Sequence, residues 1–305
     1  MGLRLAVITT TFYPSTKEGN LRKGLARKFF LDMVNKDYEV FVVDGGTDDG
    51  RFIDELKSFG VQAFPETQRG LGNSRREALT HALATRPNYI LWTEPEKVDL
   101  VRSIPFMVET ISLREADCLV PSRNTLSKYP LVQQCLETIG NQLHTDYGYW
   151  AVGEKPIDAF FGPRLWESTV SGAFQLFGDS EIPKLLAEMR MERAESNYKS
   201  EFSDAEKSRE IQRAEADLSR TDHMIQMPVC LLVLQRYTVI SCPVNYEHSI
   251  EQTRFEQTNK SVFNTKMVRQ LSALDEQFGF VRWVSENGKI RQLVKRYLFD
   301  ENIIQ

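Results

Sequence analysis

Positions 88–97 of the chain read NYILWTEPEK. The apolar and aromatic run 89–92 is typical of a buried strand, and Pro95 predicts where that strand ends. Glu94 and Glu96 would then follow its carboxyl end and, two positions apart on an extended chain, point to the same side. Ligands bind at this edge of open α/β sheets, and paired carboxylates there suit a divalent cation that bridges to a diphosphate. The alternative interpretation is an acidic turn after a strand.

The first 120 residues alternate strand and helix patterns at regular intervals. Strands that alternate with helices form βαβ units, which build a largely parallel sheet with right-handed crossovers. We therefore predict an α/β fold in which a mainly parallel sheet is flanked by helices. The predicted strands are 3–11, 38–43, 61–64, 89–92 and 118–121, and the predicted helices are 20–34, 51–59 and 70–84.

The overall composition limits the class of protein. With 305 residues, 41% hydrophobic and 26% charged, the chain is long enough for one large globular domain or for one domain with an appendage. Its net charge of −4 argues against a protein built to bind nucleic acid. The four cysteines are scattered without Cys-x-x-Cys spacing, and no apolar run approaches the length of a membrane span. We expect a soluble, cytoplasmic protein with reduced thiols.

The second half of the sequence has a less regular pattern. Residues 130–144 are predicted to be helical, and the aromatic, glycine-rich stretch 146–163 suits a loop that shapes a pocket. The stretch 181–222 carries intermixed charges and a capping box at Ser203 and Glu206, which predicts a solvated helical insertion outside the catalytic core, lying on the main domain or on a second subunit. The other predicted elements are a strand at 237–243, a helix at 256–274 and a basic amphipathic end at 289–298.

Two loops at the predicted ligand edge carry polar groups. After the first strand, the hydroxyl and backbone groups of Thr9, Thr10, Thr11 and the neighbouring Pro14 are suited to pair with a nucleobase. After the second strand, Asp44 can accept hydrogen bonds from a uracil imide or from a ribose hydroxyl. The alternative role for Asp44 is structural, as a neighbour of the cap of the following helix.

A third loop, residues 68–76, precedes the strand that ends at Glu94 and opens a helix with glycines and arginines. The N-terminus of a helix attracts anions, and guanidinium groups bind phosphate through two parallel hydrogen bonds. This loop is therefore a candidate phosphate-binding segment. Its candidate residues are Arg69, Gly70, Gly72 and Arg75.

The order of these motifs resembles that of the GT-A glycosyltransferases. A Thr/Pro first loop, the run 44–49 (DGGTDD) and the run 69–75 (RGLGNSR) precede a strand that ends in Glu-Pro-Glu at 94–96, where that family has its Asp-x-Asp metal motif. The stretches 158–166 and 227–252 are similar to the retaining branch that includes glucosyl-3-phosphoglycerate synthase and mannosylglycerate synthase.

The resemblance implies a GT-A (Rossmann-like) fold with a metal-assisted site. Mg²⁺ or Mn²⁺ would be bound by Glu96 and His248, with Glu94 nearer the sugar hydroxyls and Thr93 in contact with the nucleotide sugar. By itself, His248 would more often be a structural histidine, and the resemblance reverses this interpretation. The glutamates that replace both aspartates, with Pro95 between them, leave three alternatives open: a reshaped metal site, a weakened one, or a site that uses no metal.

The acceptor side of the site is assigned to the second half of the chain. Arg164 follows Gly-Pro in a rigid turn, which suits contact with a carboxylate or phosphate on the acceptor, and the alternative is a surface loop. The pair Ser122 and Arg123, directly after a strand, has the same two interpretations. The predicted organisation is a nucleotide-sugar-binding half (1–125), an acceptor and metal-completing half (126–275) that contains the insertion 181–222, and a C-terminal helical tail (276–305).

Our first functional hypothesis is an enzyme that moves a hexose from a UDP- or GDP-linked sugar to a small acceptor. We expect Glu96 and His248 to lie within reach of one metal ion, and Asp44, Arg69 and Arg75 to line one cleft. The alternative is a catalytically degenerate GT-A protein that binds a nucleotide sugar without transfer, and a third hypothesis is a nucleotidyltransferase. The insertion would serve acceptor selection or a homodimer contact, and we expect no nucleic-acid or membrane partner.

Overall fold

One sheet lies at the centre of the computed structural model, which describes residues 3–146, 158–178, 181–198, 202–220, 223–258, 268 and 278–299. Its strands are β1 (Leu5–Thr11), β2 (Glu39–Asp44), β3 (Gln62–Pro65), β4 (Tyr89–Trp92), β5 (Cys118–Arg123), β6 (Arg164–Glu167) and β7 (Val239–Val244). They are ordered β3-β2-β1-β4-β6-β5-β7 across the sheet. Strand β6 is antiparallel to both of its neighbours, and the other pairings are parallel.

Helices cover both faces of the sheet. The described helices are α1 (Lys17–Val34), α2 (Arg51–Ser58), α3 (Leu71–Leu83), α4 (Ile104–Leu113), α5 (Leu131–Asp146), α6 (Gly172–Gln175), α7 (Ile182–Tyr198), α8 (Asp204–Arg220), α9 (His223–Leu234), α10 (Ile250–Thr258) and a C-terminal helix at Gly288–Phe299. Helices α1, α2 and α4 bury their apolar residues against one face. Helices α3, α6, α7, α8 and α9 do so against the other face. The predicted α/β class, with a mainly parallel sheet flanked by helices, is confirmed.

The period of two along each strand divides the core between the two faces. In β1, Val7 packs in the core that contains α1, and Ile8 packs in the core that contains α3. In β2, Val42 packs in the core that contains α1, and Val43 packs in the core that contains α3. All four side chains are at least 98% buried, as expected for strands covered by helices on both sides. The first core is called here the α1 core, and the second the α3 core.

Strand β6 is the one strand of the described sheet that the sequence pattern does not predict. It is four residues long and follows Gly-Pro, a combination that favours a turn. It pairs with β4 from Tyr89↔Glu167 to Trp92↔Arg164, and with β5 at Leu119↔Leu165. Because both partners lie far away in sequence, no local pattern announces this strand. The sheet therefore contains strands from both predicted halves of the chain, 1–125 and 126–275.

The charged stretch 181–222 forms helices α7 and α8, and the predicted helical structure is confirmed. The predicted capping box is present, since the backbone N–H of Ser203 donates to Glu206 Oε2 at 2.8 Å. The two helices lie on the main domain, which is one of the two placements predicted for them. Apolar residues at helical spacing point inward beneath the intermixed charges and join the α3 core; they are Ile182, Leu186, Ala187, Met189 and Ala214.

The C-terminal part of the described chain also packs on the domain. The predicted basic end 289–298 lies in the helix Gly288–Phe299, which contacts α6 and buries Leu293. Helix α10 ends at Thr258, and most of the predicted helix 256–274 lies outside the described residues, as does the larger part of the predicted loop 146–163. None of the described helices combines the length and the apolar composition that crossing a membrane requires.

Candidate functional site

The strand order places a crevice at the carboxyl ends of β1 and β4. From β1 the chain adds β2 and β3 on one side, and β4 then returns to the other side of β1. Open α/β sheets bind ligands where the strand order reverses in this way, because the connecting loops diverge there. The loop after β1, the strand end at Glu94 and the loop after β2 meet at this edge. It is therefore the candidate functional site.

Asp44 organises the loops that follow β1 and β2. Its carboxylate accepts four hydrogen bonds: Thr11 Oγ1 at 2.6 Å, Thr47 Oγ1 at 2.7 Å, and the backbone N–H groups of Gly46 at 3.0 Å and Thr47 at 2.7 Å. Asp44 is 1% exposed, and it lies on the α1 side of the sheet. The predicted contact between Asp44 and a base or ribose stays a prediction. The geometry gives this residue a structural role at least.

The predicted nucleobase loop has a fixed backbone. Thr9 is fully buried, Thr10 is half-buried, and Thr11 bonds to Asp44. The exposed Pro14 lies against the first turn of α1, where Thr16 caps the helix by accepting from the backbone N–H of Gly19 at 3.0 Å. A Cβ at Gly19 would lie 2.0 Å from the carbonyl oxygen of Pro14. Only glycine at this position permits such close packing of helix against loop.

We expect Gly19→Ala to lower the free energy of unfolding by about 1–3 kcal/mol, because backbone atoms must shift to admit the methyl group. The matched control is Gly24→Ala in the same helix, where a Cβ meets nothing within 4 Å. That variant should gain about 0.5–1 kcal/mol from helix propensity. Urea titrations of the two variants measure the difference. Equal stabilisation in both would contradict the close contact at Pro14.

Both carboxylates after β4 face cations of the chain itself. Glu96 is 8% exposed and accepts from Arg22 Nε of α1 at 2.8 Å. Burial, followed by the negative charge of Glu96, raises the pKa of the neighbouring Tyr13 well above its ordinary value. Glu94 Oε1 lies 3.8 Å from Lys97 Nζ. The two acidic residues therefore belong to two local pairs, Glu96 with Arg22 and Glu94 with Lys97.

Lys97 lies in an aromatic environment beside the strand end. Its ammonium group is 5.1 Å from the ring centre of Phe161 and 5.3 Å from that of Tyr246. Burial disfavours its charge, but the carboxylate of Glu94, together with Tyr246 and Tyr129, outweighs burial and holds the pKa of Lys97 above its ordinary value. Gly162 makes room for Glu94, since a Cβ there would lie 2.1 Å from Glu94 Oε1. Lys97 therefore stays protonated across the neutral pH range.

The predicted phosphate-binding segment is divided between surface and core. Arg69 is exposed, Gly70 precedes α3 with φ = +125°, and Gly72 is buried in the first turn. Arg75 is 5% exposed, and its guanidinium lies 4.5 Å from the ring centre of Trp92 in the α3 core. Asp44 faces the opposite side of the sheet. The structure therefore places Arg75 on the other side of the sheet from Asp44, and the predicted proximity of Asp44 and Arg69 stays a prediction.

Arg164 holds the loop that precedes β6. It is fully buried, and its guanidinium donates to the carbonyl oxygens of Phe161, Pro163 at 2.7 Å and Ala159 at 2.8 Å. Burial lowers the pKa of Arg164 to about 10. The predicted exposed contact with an acceptor is therefore corrected to a framework role, because a guanidinium enclosed by backbone carbonyls is not presented to a dissolved molecule.

Arg123 forms a buried ionic cluster at the end of β5. Its Nε lies 2.6 Å from Asp158 Oδ2, and its Nη2 lies 2.6 Å from Glu137 Oε2. All three side chains are at least 92% buried. Arg123 also lies 4.9 Å from the ring centre of Tyr129 and 5.2 Å from that of Phe161. The structural interpretation of Arg123 is therefore the one that the geometry supports.

The predicted metal pair does not form a recognisable cation site. His248 is 8% exposed and stacks on Tyr129, with 4.4 Å between ring centres, while Glu96 is paired with Arg22. Within the described part of the chain, no three His, Cys, Asp or Glu side chains are placed to hold a metal ion together. Because an arginine already bonds to the predicted ligand Glu96, these residues fit a divalent cation poorly. We derive no step through a metal.

Several residues of the site were not predicted from the sequence. Arg22 is 74 positions from Glu96 and lies within a regular helix, so no local signal marks it. Asp158 and Glu137 approach Arg123 from a loop and from α5. The one available signal was the polar set Gln133, Glu137 and His144 at helical spacing in α5, which indicates a polar buried face.

Comparison with known proteins gives likeness in fold only. No protein-family model matches the chain. No curated protein matches it. Among solved structures, it is similar to glucosyl-3-phosphoglycerate synthase from Mycobacterium tuberculosis in complex with Mn²⁺, UDP and phosphoglyceric acid, with 13% identity and a TM-score of 0.39. That match covers 56% of this chain, which spans 58% of the synthase.

Two further structures overlap more of the chain. A nucleotide-diphospho-sugar transferase of Desulfovibrio desulfuricans shares 11% identity with a TM-score of 0.41, over 91% of this chain and 99% of that one. The 4-diphosphocytidyl-2C-methyl-D-erythritol synthase of Anaerococcus prevotii shares 14% identity with a TM-score of 0.36, over 83% and 94%. These scores are too low to indicate what the protein does.

Proposed function

We propose that the protein transfers a hexose from a nucleotide diphosphate sugar to a small acceptor, with retention at the anomeric carbon. The observation that carries this proposal is the meeting, at the β1/β4 crevice, of a rigid polar loop and two carboxylates that follow β4. The polar loop suits a nucleoside, and the carboxylates suit the hydroxyl groups of a sugar. A nucleotide sugar carries both of these parts.

The nucleoside would lie over the loops that Asp44 holds together. The aromatic ring of Phe12 is 60% exposed next to Gly45, where a Cβ would lie 3.4 Å from that ring. An exposed aromatic ring beside a fixed backbone offers a stacking surface for a base. Because Asp44 fixes the loop before the ligand arrives, less conformational entropy is lost on binding.

The sugar would lie near Glu94. Its Oε2 is buried and accepts no hydrogen bond from the described residues, whereas its Oε1 faces Lys97. After a small rotation of the carboxylate, a sugar hydroxyl could donate a hydrogen bond to this oxygen. The acceptor would approach from the side of Lys97, where a protonated amine supplies the charge that a carboxylate or phosphate requires.

The reaction follows from this arrangement. An acceptor hydroxyl oxygen attacks the anomeric carbon, the bond from that carbon to the diphosphate oxygen breaks, and the acceptor proton passes to the departing phosphate. No protein base is required, since the leaving group takes the proton on the face that the acceptor uses. The chain's contribution is to bind both molecules in register and to stabilise the charge on the diphosphate.

The test is a melting-temperature screen of the full chain with UDP- and GDP-sugars, followed by analysis of the products. A ligand that binds only the folded state stabilises it by about 2.7 kcal/mol at one hundred times its dissociation constant. We expect one nucleotide sugar to raise the melting temperature, and prolonged incubation to release free sugar and nucleoside diphosphate.

The other outcomes decide between the hypotheses. Stabilisation without any release of sugar indicates the alternative, a GT-A-like protein that binds but does not transfer. Formation of pyrophosphate from a nucleoside triphosphate and a sugar phosphate indicates a nucleotidyltransferase. If no nucleotide sugar stabilises the protein at millimolar concentration, the proposed function is wrong.

A further inference from the structure

Arg22 is placed at the β1/β4 crevice by two contacts. Its Nε donates to Glu96, which follows β4, and its guanidinium lies 5.7 Å from the ring centre of Tyr13, in the loop after β1. These two loops border the point where the strand order reverses. A cation from α1 is thereby held at the position where a ligand of this sheet is expected to bind.

The guanidinium of Arg22 keeps binding capacity after it has paired with Glu96. The pairing uses Nε, and the two Nη nitrogens meet no hydrogen-bond acceptor among the residues that the structure describes. The side chain is 41% exposed, whereas Glu96 is 7% exposed. The buried carboxylate therefore holds the Nε side of an arginine whose side chain remains partly exposed. Two parallel N–H groups of the guanidinium match two phosphate oxygens.

We propose that Arg22 binds the diphosphate of the donor directly, positioned by Glu96, so that the donor is bound without a divalent cation. This inference rests on the proposed function and identifies how that site holds its substrate. The guanidinium takes the place at Glu96 that a metal ion would need. Glu94 shows the same arrangement, since its neighbour Lys97 supplies its counter-charge.

Other positively charged groups at the carboxyl edge of the sheet favour the binding of an anion. Arg69 is exposed directly before α3, and α3 begins at the carboxyl end of β3 with Gly70 as its N-cap residue. The unpaired N–H groups of the first turn of a helix favour negative charge. These groups add positive charge at the carboxyl edge of the sheet, whereas Arg75 is buried on Trp92.

The experiment is titration calorimetry of the full chain with UDP, GDP, ADP, CDP and dTDP, in EDTA and separately in Mn²⁺. We expect one nucleotide to bind with the same dissociation constant, within about twofold, in both conditions. Arg22→Met should weaken this binding by about tenfold to a hundredfold, because a charge-assisted pair of hydrogen bonds is lost. Arg22→Lys should recover part of the loss, since lysine keeps the charge but not the fork.

The matched control is Arg27→Met, one turn further along α1. Arg27 pairs with Glu55 of α2 through both Nε, at 2.5 Å, and Nη2, at 2.8 Å, and not with a residue that follows β1 or β4. The Arg27→Met variant should leave the dissociation constant of the nucleotide unchanged. Glu96→Gln should weaken binding only a few fold, because the glutamine oxygen still accepts from Arg22. Melting curves establish that each variant is folded.

Each result decides the matter. Binding that requires Mn²⁺, or a bound-Mn²⁺ signal in electron paramagnetic resonance that Glu96→Gln abolishes, overturns the inference and leaves the proposed function intact. Metal-independent binding that is equal in the wild type and in Arg22→Met and Arg22→Lys also overturns it. If neither a nucleoside diphosphate nor a nucleotide sugar binds in either condition, the proposed function itself fails.

Discussion

Replacing Arg123 with methionine should lower the free energy of unfolding by about 3–5 kcal/mol, because it leaves two buried carboxylates without their counter-charge. Asp158 and Glu137 both lie 2.6 Å from this guanidinium, and neither is more than 8% exposed. Methionine fills much of the same volume, so the change tests charge more than packing. Chemical denaturation at neutral pH measures the loss.

Two further variants test this assignment. Lys128→Met removes an exposed pair with Glu247, and should change stability by less than about 1 kcal/mol. The triple variant Arg123→Met/Asp158→Asn/Glu137→Gln should recover part of the loss, because no charge then remains buried. An Arg123→Met protein as stable as the Lys128→Met protein would show that the cluster is exposed in solution.

The same cluster predicts how stability depends on pH. Burial raises the pKa of Asp158, but its hydrogen bonds and the charge of Arg123 prevail and hold that pKa below its ordinary value. A carboxyl with a lowered folded-state pKa binds protons more readily in the unfolded chain. Its stabilising contribution is therefore complete above about pH 4, the unfolded pKa, and is lost as pH falls through the folded value. Arg123→Met should flatten this acid dependence.

Replacing Asp44 with asparagine should cost about 2–4 kcal/mol, because an amide cannot accept hydrogen bonds from both sides. The carboxylate now accepts from two hydroxyls and from two backbone N–H groups, at Gly46 and Thr47. The asparagine NH₂ group must face one of these pairs of donors. We expect the loops after β1 and β2 to loosen, and nucleotide affinity to fall together with stability.

Asp49→Asn is the control for this prediction, because it removes the same charge from the same loop. Asp49 is exposed and has a φ of +55°, a conformation that asparagine also tolerates. It should change stability by less than about 0.5 kcal/mol. Urea titration measures stability, and calorimetry with the best nucleotide measures affinity. Equal effects of the two changes would rule out a special role for Asp44.

The fold could be predicted to the extent that it depends on local patterns. Strands β1 to β5 and helices α1 to α3 are apolar runs and amphipathic stretches with clear turns between them, and their predicted ranges overlap the observed ones. Strand β6 could not be predicted, because its pairing depends on partners far away in sequence. The burial of α7 could not be inferred from the pattern, because its apolar residues are spread among charged ones.

The site was less predictable, because side-chain direction depends on the tertiary environment. The inward position of Arg75 could be inferred from the local pattern. This residue shares the helical spacing of the buried face of α3, which also contains Ala78, Leu79 and Ala82. The resemblance to phosphate-binding loops instead predicted that Arg75 contacts a ligand. The pairing of Arg22 with Glu96 depends on how α1 crosses the sheet, which no local pattern specifies.

The position of β5 has a consequence for the order in which the chain assembles. Both sheet neighbours of β5, namely β6 and β7, are synthesised after it, whereas β1 to β4 pair only among themselves until β6 arrives. A nascent chain can therefore complete a four-stranded unit once Trp92 has emerged, but the apolar strand β5 must wait for distant sequence. Late, non-local pairing slows folding and prolongs the exposure of unpaired strands. We expect chains truncated before β6 to aggregate through β5.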